Sequence, residues 1–304
     1  VSIKVSLACA LIIAAGAARG DEGAAFLKLG TGPRATALGG AYTALGDDAA
    51  SISWNPAGLA RMDKREATAA HAELVERTHL DFAAYAQPTK TGTFAAGLLY
   101  LSHGSFDGRD AAGKPTGKVT AADTALSAAY ANKSDWADYG VAVKFITSHI
   151  AEAQAQTAAL DFGLKREVYS LKGGKVYAAG AIRNLNVGPG LRYAGGQKTD
   201  LPLQIAAGGA WVHERGALSF DLMNGPNGSG TDASFGGEYH VVKAFVVRAG
   251  YGTAGLIAGG SGFDAMRGLS FGIGFRTDRV TFDYAVTPAG DLGQAHRFGV
   301  GVRF

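Results

Sequence analysis

From about Lys64 to Phe304 the chain repeats short segments in which every second side chain is apolar, and this two-residue period does most to limit the folds open to it. In the last segment His296, Phe298, Val300, Val302 and Phe304 alternate with Arg297, Gly299, Gly301 and Arg303. Leu269, Phe271, Ile273 and Phe275 alternate with Ser270, Gly272, Gly274 and Arg276, and Val280, Phe282, Tyr284 and Val286 with Thr281, Asp283, Ala285 and Thr287. These are strands with one greasy face and one small or polar face. A soluble β-sandwich or propeller also alternates, but its polar face carries Lys and Glu in quantity. Here that face is mostly Gly, Ala and Ser with scattered charges, which suits a barrel lumen with something packed against it.

About fourteen such segments occur, each near the ~9–11 residues that a tilted strand needs to cross a bilayer. Their centres are Ala70, Ala84, Gly97, Ser127, Val143, Asp161, Ala179, Ala207, Phe220, Glu238, Arg248, Ile273, Tyr284 and Val300. Connections after odd-numbered strands tend to be long and Gly-rich (102–118, 186–200, 224–232, 254–267), and those after even-numbered strands short (87–92, 213–216, 242–244, 277–279). Long loops outside and tight periplasmic turns are how transmembrane barrels are strung. Composition agrees. The 304 residues include 45 Gly and only 8 Pro, with 47% apolar residues, and no apolar run of helix-spanning length occurs beyond the N-terminus. The expected fold is all-β, a monomeric transmembrane antiparallel β-barrel of about 14 strands over residues 64–304.

Residues 1–20 read as a secretory signal, with Lys4 ahead of an apolar stretch from Val5 to Ala15 and cleavage after Ala17 or Gly20. The single cysteine, Cys9, lies inside it, behind Ser6-Leu7-Ala8, a poor lipidation sequence. Removal of the leader leaves a mature chain without cysteine, as suits an oxidising envelope compartment.

Residues 21–63 are Gly- and Ala-rich and lack the two-residue period. Asn55-Pro56 reads as a helix start, Asn as N-cap and Pro at the first helical position, so that a short helix follows over 56–62. Arg34, Asp47 and Asp48 are either solvated at the periplasmic mouth or paired with lumen charges, for which Asp161, Asp221, Glu238, Arg248, Arg276 and Asp283 are the candidates. Gly250, Gly272, Gly274, Gly299 and Gly301 leave space along neighbouring strands, and the segment 24–62 is the part of the chain free to fill it. A bore closed at rest is the consequence.

The run from Ala25 to Asp48, with Gly39-Gly40-Ala41-Tyr42 and Asp47-Asp48 in it, followed by Trp54-Asn55-Pro56-Ala57-Gly58-Leu59, resembles the N-terminus of the PorV/PorQ family of outer-membrane barrels, which are similar to the FadL-like long-chain fatty-acid transporters. Beyond these residues the resemblance is of length and pattern alone. It implies a fourteen-stranded barrel with the N-terminal segment folded into the bore as a plug. The resemblance gives plug or gating roles to Arg34, Gly39, Gly40, Asp47, Asp48, Trp54, Asn55, Pro56, Ala57 and Gly58. It implies a cell outer-membrane channel for hydrophobic or amphipathic small molecules or, alternatively, a PorV-like accessory barrel that handles type IX secretion substrates at the cell surface. The partners are then outer-membrane lipid and lipopolysaccharide, the assembly machinery that reads the terminal Phe304, a hydrophobic ligand, and in the second case secretion-system proteins.

Other chemistry finds little support. A balance of 29 Lys+Arg against 26 Asp+Glu is too even for nucleic-acid binding. No His-Glu-x-x-His, Walker or Gly-x-Ser-x-Gly motif occurs, and the seven histidines (71, 79, 103, 149, 213, 240, 296) lack metal-ligand spacing. His103 beside Ser102 and Ser105 reads as a loop histidine, not as part of a lipase. No catalytic residue, metal or cofactor is expected.

Overall fold

The computed structural model describes residues 22–74, 77–109, 112–171, 173–193, 196, 198–227, 230–253, 268–288 and 294–304. The expected secretory signal over residues 1–20, with Cys9, and the connection 254–267 lie outside them. Alternation of apolar and small residues builds the strands β1 (Glu66–Glu73), β2 (His79–Thr89), β3 (Gly92–Arg109), β4 (Pro115–Asn132), β5 (Asp138–Ile150), β6 (Ala153–Leu171) and β7 (Gly174–Asn186). It continues in β8 (Gln204–His213), β9 (Gly216–Gly225), β10 (Gly230–Val242), β11 (Phe245–Gly252), β12 (Leu269–Arg276), β13 (Val280–Pro288) and β14 (Gln294–Arg303). Each expected centre falls in its own strand. Every strand pairs antiparallel with its neighbours in sequence, and β1 pairs with β14 from Glu66↔Arg303 to Glu73↔His296, closing a 14-strand barrel with no free edge.

The two faces separate as the period requires. Phe271, Ile273, Phe275, Phe282, Phe298 and Val300 point outward and are exposed, the apolar outer face that a transmembrane barrel presents. Aromatic pairs stitch neighbouring strands on this face, with Phe220 and Phe235 ring centres 4.7 Å apart and those of Tyr284 and Phe298 5.1 Å apart.

One expected connection is a correction. The stretch 102–118 reads as a long loop because it is polar and Gly-rich, yet β3 runs on to Arg109 and β4 starts at Pro115, with Ser105↔Thr120 and Gly108↔Gly117 paired across a register shift that follows Ser102. The ladder is made of backbone hydrogen bonds, which need no apolar side chain where both faces are exposed. The odd-long rule also fails after β5, where two residues, 151–152, turn the chain into β6.

The N-terminal segment forms four short helical turns: α1 (Ala25–Lys28), α2 (Pro33–Ala37), α3 (Ala49–Ser53) and α4 (Pro56–Arg61), of which α2 is α-helical and the others are 3-10. These turns supply much of the core. Phe26, Ile52 and Leu59 are buried among the inward residues Leu80, Phe82, Leu99, Leu101 and Ile146, and Leu38, Tyr42 and Leu45 form a second cluster with Tyr177, Ala210 and Ala217. The segment therefore lies within the ring of strands.

Candidate functional site

The N-terminal segment lies on a floor of inward-facing glycines. A Cβ at Gly236 would come within 2.6 Å of Leu38 Cβ, one at Gly272 within 2.5 Å of Ala37 Cβ and one at Gly299 within 2.7 Å of Pro33 Cγ, while one at Gly250 would run into the Leu38–Gly39 backbone. Gly39 adopts φ 67°, a left-handed conformation, and a Cβ there would run into the backbone of Tyr251. Ser270 fixes this contact from the wall, its Oγ donating to Ala37 O (3.1 Å) and accepting from Gly39 N (2.9 Å). On the other side of the bore α4 leans on β5 and β6, where side chains at Gly140 and Gly163 would collide with Pro56 and Asn55. Asn55 Oδ1 caps α4 by accepting from Ala57 N (3.0 Å), and its Nδ2 donates to Thr43 O (2.8 Å) and to Leu164 O of the wall (3.2 Å).

Toward the short-turn end of the bore, Arg34 is the centre of a charge network. Its Nε and Nη2 donate to the two oxygens of Glu238 (3.1 and 2.8 Å), and its Nη1 meets Asp47 Oδ1 (2.5 Å), Asp48 Oδ2 (3.3 Å) and Tyr42 Oη (3.0 Å). Glu238 also accepts from Arg248 Nε (3.1 Å), whose Nη1 donates to Asp283 (2.6 Å). Tyr42 donates to Asp48 (2.6 Å); burial, with Asp48 adding to it and Arg34 opposing, holds this phenol well above its ordinary pKa, so it remains a donor. The network joins segment to wall in a site where an unpaired charge would be expensive.

On the long-connection side, a cavity of about 410 Å³ lies between the segment and the wall. Leu27, Leu29, Trp54, Leu99 and Met223 give it apolar surface; Lys144, Arg183, Asp221, Asp232 and Arg297 give it charge. Lys144 pairs with Asp161 (2.6 Å), which also accepts from Asn184 N (2.7 Å). Asp221 Oδ2 accepts from Tyr42 N and Thr43 N (2.9 and 2.8 Å), tying the segment to β9. Trp54 Nε1 donates to Thr31 O (3.0 Å), and the Arg183 guanidinium lies 5.4 Å from the centre of its ring.

The structure brings Arg34, Asp47, Asp48, Glu238, Arg248 and Asp283 into one network, and sets Trp54 and Asp221 at the cavity. Arg276 forms no ion pair among the described residues, and Gly58 abuts Gly46 O, where a Cβ would come within 2.6 Å. Phe304 is exposed at the end of β14, its N–H bonded to Arg65 O (2.9 Å). Sequence reasoning missed Lys144, Arg183 and Arg297, and the glycines at 140, 163, 208 and 236. Inward parity was the signal available for all of them.

The barrel is similar to the Pseudomonas putida toluene transporter TodX (TM-score 0.61, 14% identity, covering 90% of this chain and 96% of that one). It is also similar to the Ralstonia pickettii toluene transporter TbuX (0.57, 15%, 90% and 98%) and to a Pseudomonas aeruginosa FadL homologue (0.50, 13%, 90% and 98%). At these identities the likeness is one of fold. No curated protein sequence matches the chain. The model of a family described as Uncharacterised protein family (UPF0164) matches residues 4–157, half of the 304 residues. The chain belongs to the UPF0164 family.

Proposed function

We infer that this protein is an outer-membrane channel for hydrophobic or amphipathic small molecules, with residues 21–63 as its plug. The observation that carries the reading is the cavity of about 410 Å³ walled on one side by the N-terminal segment and on the other by the strands, in the size range of small-molecule sites. The cavity lies on the long-connection side, and the Arg34 network stands between it and the short-turn end. The plug must shift before anything passes. Similarity in fold to the toluene transporters TodX and TbuX and to a FadL homologue supports the same reading. On this reading Phe304 ends the strand that the assembly machinery recognises, and lipid with lipopolysaccharide surrounds the wall.

The PorV/PorQ resemblance keeps a second reading, a secretion-accessory barrel. The β3–β4 hairpin supports it, because its 18-residue strands extend past their neighbours on the long-connection side and present Phe106 to solvent. Type IX secretion genes beside this one in its genome would favour it.

Uptake tests the transport reading. Gram-negative cells expressing the chain are expected to take up at least one of radiolabelled toluene, benzoate and laurate several-fold faster than vector controls. Equal rates for all three would overturn it.

A further inference from the structure

Among the charged residues lining the cavity, Arg297 stands apart. It is 8% exposed, and β14 aims it inward between β1 and β13. Its Nη1 donates to Thr287 Oγ1 (2.7 Å), its Nε has no hydrogen-bond partner, and among the described residues it has no ion pair. The other charges around it each have an ion pair, hydrogen bonds to a carboxylate or a nearby opposite charge. Lys28 pairs with Glu22 (2.5 Å) and Lys144 with Asp161 (2.6 Å); Asp221 accepts two backbone N–H bonds from the segment; Asp232 accepts from Thr253 (3.3 Å). Arg183 shares the unpartnered Nε and has no ion pair among the described residues, but it lies over Trp54, donates to Met223 Sδ (2.8 Å) and has the carboxylates of Asp161 and Asp221 acting on it. A buried guanidinium with a free donor and no counter-ion is strongly disfavoured unless something supplies the charge. The guanidinium fork matches a planar oxyanion, which it can bind through two parallel bonds.

We propose that the cavity takes a compact organic anion, a carboxylate or sulfonate on a small apolar body, with its oxyanion on Arg297 and its body against Leu29, Leu99 and Met223. A neutral hydrocarbon leaves Arg297 unpaired. A long alkyl chain would lay apolar surface against a lining that also includes Thr31, Thr36, Ser127 and Ser270. The proposal rests on reading the cavity as the transport site and adds what that site selects.

The test is equilibrium dialysis of radiolabelled benzoate, inorganic phosphate, toluene and laurate against the full-length protein in detergent, with the melting temperature read in parallel. Benzoate is expected to bind at least tenfold more tightly than the other three and to raise the melting temperature. Arg297→Gln should lose tenfold or more of the benzoate affinity and leave toluene unchanged. It should also fold at least as well as the parent without ligand, because it removes an uncompensated charge. Arg297→Lys, which keeps the charge without the fork, should fall between; if Arg297→Gln fails to fold, Thr287→Val, which removes the hydrogen bond that orients the guanidinium, should still weaken benzoate binding. Toluene or laurate preferred over benzoate, phosphate bound as well as benzoate, or benzoate binding indifferent to these substitutions would each overturn the proposal. The transport reading would survive any of these. Binding of none of the four, together with unchanged uptake in cells, would remove both.

Discussion

At the scale of single residues, Asn55 shows how one side chain can serve both its own turn and the whole assembly. As a cap it satisfies Ala57 N; its amide group then reaches Thr43 in the segment and Leu164 in the wall. A cap is worth about 1 kcal/mol, and each of the two further hydrogen bonds about as much again. Asn55→Ala should therefore loosen the segment by about 2–3 kcal/mol, read as faster amide hydrogen exchange at Ala57. Asn55→Asp separates the roles, since Asp caps as well as Asn but cannot donate to the two carbonyls. It is expected to loosen the segment at least as much as Ala does; exchange at the parental rate would reduce Asn55 to a cap alone. The capping role was legible from Asn55-Pro56. The bridge to Leu164 was not, because it depends on which strand faces α4 across the bore, and strand stagger leaves no mark in local sequence.

At the scale of elements, glycine means opposite things on the two faces of a strand. Gly250 faces inward and lies under the Leu38–Gly39 backbone, while Gly209 faces outward, its nearest neighbour being Tyr177 O, 3.9 Å from where a Cβ would sit. Gly250→Val should force the segment off its floor, at the 1–3 kcal/mol typical of overpacking, and raise ion conductance while the barrel still folds. Gly209→Ala should leave conductance as it was. Equal behaviour of the two would mean that the glycine floor does not seat the segment. Strand periodicity exposed all fourteen strands because lipid and packed interior place opposite demands on alternate residues. It marked the inner face at Gly250, Gly272 and Gly299, where aromatic neighbours make the parity plain. Gly140, between Tyr139 and Val141, and Gly163, between Phe162 and Leu164, carried the same signal, whereas Gly208 and Gly236 each stand beside a second glycine, and the parity was harder to read.

At the scale of the whole molecule, the two ends of the bore do different work. Arg34 bridges Asp47 and Asp48 of the segment to Glu238 of the wall near the short turns, and the cavity with Arg297 opens the space near the long connections. Inward lumen charges were visible in the sequence; their partners were not, since Arg34 and Glu238 are brought together by closure of the barrel around the segment and by nothing in their spacing. Gating of any kind requires that residues 21–63 close this bore, and single-channel recording in planar bilayers reads that closure as a current. The full-length protein is expected to show little steady conductance, and a variant lacking residues 23–54 a stable open channel. Steady conductance from the full-length protein equal to that of the deletion would show that the segment does not plug the barrel.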